Sequence, residues 1–82
     1  MIDLRKFDSA AAREWRRGEH GDAEHLICDG APVATVERDH ASGFAVLDHV
    51  NDTDADGFET MAEAREFAMK QLDRRFAEIK AA

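Results

Sequence analysis

The chain has 82 residues, of which 35% are charged and 44% hydrophobic, with one cysteine, Cys28, and a net charge of −7. That composition describes one small soluble domain over residues 1–82 with a modest core. A lone cysteine excludes an internal disulfide and a multi-cysteine zinc site, and it fits a reducing cytoplasm; no window is long and apolar enough to span a bilayer.

Residues 1–8 contain no apolar run of the signal-peptide kind. They mix Ile2, Leu4 and Phe7 with charges, which suits either a short edge strand or an arm on the core. Asp8 or Ser9 is then placed to cap a short helix, Ala10 to Arg17, ended by Gly18 in the left-handed conformation. The alternative for Glu14 to Arg17 is the start of a strand. In either form Trp15 packs on the core while Arg13, Arg16 and Arg17 stay solvated. A nucleic-acid contact by this Trp–Arg cluster conflicts with the acidic whole.

His25 to Cys28 and Val33 to Arg38 are apolar runs separated by Asp29-Gly30. Both turn residues tolerate positive φ, so the pattern predicts a hairpin. Pro32 has no amide proton and belongs at a strand start or an edge. A third strand is predicted from Phe44 to Val50, with Phe44, Val46 and Val50 on one face and Ala45 and Leu47 on the other. Two apolar faces imply cover on both sides. From Met61 to Ile79, apolar residues recur at three- and four-residue steps and predict a long helix. Thr60 and Glu63 form its capping box. The expected fold is α+β: a short N-terminal helix, a three-stranded antiparallel sheet, and a long C-terminal helix packed on the sheet.

Residues 39–63 hold seven acids and no Lys or Arg: Asp39, Asp48, Asp52, Asp54, Asp56, Glu59 and Glu63. Such a block repels nucleic acid and anionic membrane and attracts cations or basic protein surfaces. Within it, Asp52-x-Asp54-x-Asp56-Gly57-x5-Glu63 resembles the calcium loop of the EF-hand. The resemblance implies Asp52, Asp54, Asp56, Phe58 and Glu63 as ligands, with Glu63 giving both oxygens and Phe58 standing where the family uses a backbone carbonyl. The chain departs from that family in having Glu59 where an aliphatic residue is usual, no sister loop, and a strand instead of an incoming helix.

Catalytic readings find little support. His25 and Cys28, three apart on a strand, point to opposite faces, so with His20 they make a poor zinc set. Ser9 and Ser42 lack a nucleophile elbow, and no glycine-rich phosphate cradle exists. His40 and His49 read as surface residues at strand ends, and Cys28 as a small core residue.

The hairpin, the Gly43-Phe44-x-Val46 strand, and the Gly57 to Ala64 segment opening a helix resemble small proteins of phages and mobile elements, the anti-CRISPR proteins among them. The resemblance covers residues 25–76. It implies a non-enzymatic inhibitor that occupies a surface of a defence complex, with no cofactor. Acidic inhibitors of this sort present carboxylates to a lysine-lined groove in place of phosphates. The expected contact residues are Asp39, Asp48, Asp52, Asp54, Asp56 and Glu59, and the expected partner is a basic protein surface such as a CRISPR effector. Two alternatives are a calcium-binding protein and a structural protein that dimerises through an uncovered sheet face.

Overall fold

The computed structural model describes residues 2–19, 21–39, 41 and 43–81. A single 3-10 turn, Leu4–Lys6, precedes strands β1 (Arg13–Arg17), β2 (Glu24–Cys28), β3 (Ala31–Asp39), β4 (Gly43–Asp48) and β5 (Thr53–Phe58), and helix α1 (Met61–Ala81) closes the chain. The strands form one antiparallel meander in the order β1-β2-β3-β4-β5. The expected α+β class with a long C-terminal helix is present, but the sheet has five strands and not three.

Both extra strands come from segments with a competing local signal. The expected helix Ala10 to Arg17 is replaced by a turn and β1. Asp8 does accept from an amide two residues on, Ala10, at 2.9 Å, and Ala11 N–H bonds the Asp8 carbonyl. The turn so made does not propagate as a helix. Trp15 instead pairs with Leu26, and Arg13 with Cys28, along β2. Trp favours a pleated, half-buried surface, and alternation sends Arg13 and Trp15 to the helix side while Glu14 and Arg16 go to the other. On the helix side, Arg13 is bonded to Asp73 at 2.6 Å, and the Arg65 guanidinium lies over the Trp15 ring, 5.6 Å from its centre. Arg13 is therefore not the solvated residue expected, and Trp15 is not an open stacking platform.

The second extra strand is β5, expected as an acidic loop. It is held by pairing along one side only, Leu47 with Asp54 and Asp48 with Thr53. An exposed edge strand rich in Asp is poorly matched to further strand addition.

Three local expectations are met, while the strand expected from Phe44 to Val50 ends at Asp48. Asp29 and Gly30 both take positive φ, 52° and 80°, at the β2–β3 turn. Pro32 is the second residue of β3, next to a register shift in the β2–β3 ladder. Thr60 Oγ1 accepts from Glu63 N–H at 3.1 Å, and Glu63 Oε2 accepts from Glu59 N–H at 3.2 Å, the latter one residue ahead of the cap.

Helix α1 packs across β3 and β4 and touches β5 and the 3-10 turn. Ala64, Ala68, Leu72 and Phe76 meet Leu26, Val33, Val36, Val46 and Val50 in the core. Each large aliphatic or aromatic side chain so buried contributes about 1.5–3 kcal/mol. Ile27, Thr35 and Ala45 are also buried but lie outside this core cluster. Register places them on the opposite face of the sheet. Among the described residues no helix covers that face.

Candidate functional site: an acidic groove on the uncovered sheet face

Strand β4 presents Gly43, Ala45 and Leu47 to the uncovered face. Two of these are small, so β4 forms a floor lower than its neighbours. Glu37 of β3 stands directly across from Ala45, and Asp54 of β5 directly across from Leu47. The result is a depression of about 440 Å³ whose lining includes Ala45, Leu47, Glu37, Asp39, Asp54 and Asp56. Carboxylates rise from the strand on each side of an apolar floor.

Several acids elsewhere on the molecule pair with cations. Asp3 pairs with Arg5 at 2.9 Å, Glu66 with Lys70 at 2.8 Å, and Asp73 with Arg13 at 2.6 Å. Glu14 pairs with Arg16 and Glu24 with Arg65. The Arg5 and Lys70 partners hold the Asp3 and Glu66 carboxyls below the ordinary carboxylate range. In contrast, among the described residues no Lys or Arg forms an ion pair with Glu37, Asp54 or Asp56. Arg38, at the rim, has its guanidinium over the Phe44 ring at 5.6 Å. Glu37, Asp54 and Asp56 thus concentrate negative charge that no Lys or Arg among the described residues pairs with.

Of the expected contact residues, Asp39, Asp54 and Asp56 line this groove. Asp39 also turns the end of β3, its Oδ1 accepting from Ala41 N–H at 2.9 Å. Asp52 is exposed in the preceding turn with φ of 53°. Glu59 is exposed in the link between β5 and α1. Asp48 lies on the helix side, 7% exposed, and is bonded to Arg75; it has no surface to offer a partner. Glu37 was not among the expected residues. The signal that finds it is strand register and not charge counting along the chain.

The residues of the calcium-like pattern do not converge in this conformation. Asp54 and Asp56 lie in extended strand β5 and Asp52 in the turn before it, so the segment does not curl into a loop around a common centre. Phe58 packs its ring on Phe67, centres 5.0 Å apart, and Glu63 is engaged in the cap. Among the described residues, no group of three or more His, Cys, Asp or Glu is placed to hold a metal ion.

Beside the groove on the same face, Thr35 Oγ1 lies 2.8 Å from His25 Nδ1 and 2.8 Å from His49 Nε2. One hydroxyl can donate to one ring and accept from the other, so the three side chains form a closed hydrogen-bonded row. His49 is thus half-buried and bonded, not a free surface residue. His20, His40 and Ser42, weighed above as zinc, surface or nucleophile residues, lie outside the described residues. Cys28 is buried, and burial pushes its thiol up, away from nucleophilic character. No described helix is long and apolar enough to cross a membrane.

Compared with protein-family models, with curated proteins and with solved structures, the chain has no match.

Proposed function

We propose that this chain is a non-enzymatic, acidic protein-binding module that acts in the cytoplasm by occupying a basic, nucleic-acid-binding surface of another protein. One observation carries the reading: Glu37, Asp54 and Asp56 form no ion pair within the described chain, on a sheet face that no helix covers. Carboxylates with this surplus field attract a lysine- or arginine-lined surface and speed encounter with it. The narrower assignment, an inhibitor of a CRISPR effector or similar defence complex carried by a phage or mobile element, rests on the resemblance of residues 25–76 to such proteins. Self-association through the same face would set these carboxylates against their own copies, and facing like charges oppose pairing.

The test is competition with DNA. A CRISPR effector complex purified without target DNA is mixed with labelled duplex, and the chain is titrated in while mobility of the labelled duplex is followed. Displacement is expected, and a Glu37→Lys/Asp54→Lys/Asp56→Lys variant with an unchanged circular dichroism spectrum should lose it. Equal displacement by that variant overturns the groove as the contact.

A further inference from the structure

We propose that the occupant of the β4 groove is a basic amphipathic helix of the partner protein, lying along the strand. This inference rests on the binding reading above and specifies the shape of what binds. The walls of the groove are β3 and β5, two inter-strand spacings or about 9.6 Å apart. An α-helix with its side chains is about 10–12 Å across. A helix laid along β4 is slightly wider than this spacing, so it rests over the two walls with its apolar stripe turned toward Leu47, and lysines or arginines flanking that stripe meet Glu37 on one side and Asp54 and Asp56 on the other.

The fold argues for a helix over an added strand. An antiparallel sheet can leave one face to water, yet a second layer over this face would bury Leu47, which is only half-buried in the free chain. Helix α1 supplies one layer, and a partner helix supplies the second. A strand added at the β5 edge would leave Leu47 uncovered and would meet a six-residue edge carrying Asp54 and Asp56. Charge complementarity selects the sign of the flanks: among the described residues Glu37, Asp54 and Asp56 form no ion pair with a Lys or Arg.

The experiment uses two synthetic peptides of identical Lys, Leu and Ala composition. In one, apolar residues recur at three- and four-residue steps with Lys on both flanks; in the other, the same residues are scrambled. Binding to the whole chain is measured by fluorescence anisotropy in physiological salt, and the contact is mapped by amide chemical shifts. The amphipathic peptide is expected to bind at least tenfold tighter and to gain helicity. The shifts should centre on Glu37, Ala45, Leu47, Asp54 and Asp56. An Asp54→Lys/Asp56→Lys variant, both positions being exposed, should bind at least tenfold more weakly with its other amide signals unmoved. Equal affinity for the two peptides, or shifts confined to the outer edge of β5, overturns the helix and leaves the acidic binding module standing. No binding of either peptide overturns both.

Discussion

Arg75 of α1 directs Nε and Nη2 at one carboxylate oxygen of Asp48, at 3.2 and 2.9 Å, while the other Asp48 oxygen accepts from Val50 N–H at 2.8 Å. The pair clamps the middle of the helix to the end of β4. Its side chains are 18% and 9% exposed, so removing one partner strands a charge largely out of water.

Asp48→Ala is therefore expected to act on stability and not on binding. Breaking a buried pair costs about 3–5 kcal/mol, and the water left to Arg75 places the cost at the low end. In a domain of this size each kcal/mol moves the midpoint by about 4–8 °C, so thermal unfolding should fall by more than about 10 °C. A double variant, Asp48→Leu/Arg75→Met, should recover the part of the loss due to the stranded charge, but not the part due to the Val50 N–H bond. A midpoint unchanged by Asp48→Ala would show that the pair contributes nothing.

Gly43 takes φ of 90°, and a Cβ added there would collide with the Phe58 carbonyl oxygen. Both faults are backbone faults that no rotamer relieves. Gly43→Ala should cost about 1–3 kcal/mol from the strained φ alone, with more from the collision. It should also loosen the β4–β5 ladder where the register already shifts. Urea denaturation measures the first, and faster amide exchange in β5 the second.

The extended form of β5 predicts the response to calcium. An ion bound only by the folded state, at a hundred times its dissociation constant, adds about 2.7 kcal/mol. Millimolar calcium against EDTA is expected to leave the melting midpoint unchanged, with magnesium as control. A calcium-specific rise of several degrees would mean that β5 leaves the sheet to fold around the metal. Thr60→Ala should lower stability by about 1 kcal/mol by removing the cap, and Glu63→Gln by less, since glutamine still accepts from Glu59 N–H.

Cys28 predicts an alkaline limit. Burial raises its thiol, with the neighbouring Arg13 pulling the opposite way. The folded state thus holds this proton more tightly than the unfolded chain. The resulting stability is intact below the ordinary thiol range and is lost as pH rises through it, by up to about 1.4 kcal/mol per pH unit. Urea midpoints measured across alkaline pH should fall less steeply in Cys28→Ala. Iodoacetamide should modify the wild-type thiol only as fast as the chain opens.

Elements with a strong local signature were legible from residue order. Asp29-Gly30 requires positive φ twice, Thr60 and Glu63 start a helix in one place, and the spacing from Ala64 to Phe76 admits one buried face. What was hidden depends on pairing. Arg13 to Arg17 follows three alanines and includes good helix formers, and only the ladder to β2 turns it into strand. Asp54 and Asp56 disfavour strand by propensity, and β4 overrides this. The acidic character of the region was visible in the composition, but its shape was not. Counting along the chain groups Asp48 with the surface acids, whereas the pleat turns it inward and brings in Glu37, which lies outside the counted block.

Because each strand pairs with the one before it in the chain, no strand pairing waits for distant segments to meet. Low separation between partners is associated with fast folding, and the tight β2–β3 turn is the cheapest loop to close. The meander is thus suited to form the nucleus, with α1 docking afterwards across β3 and β4. Truncations of the α1 core, such as Leu72→Ala, should then appear mainly as faster unfolding, and truncations in the hairpin, such as Val36→Ala, as slower folding. A chain built this way reaches its groove early, so the acidic face is complete once the helix has sealed the other side.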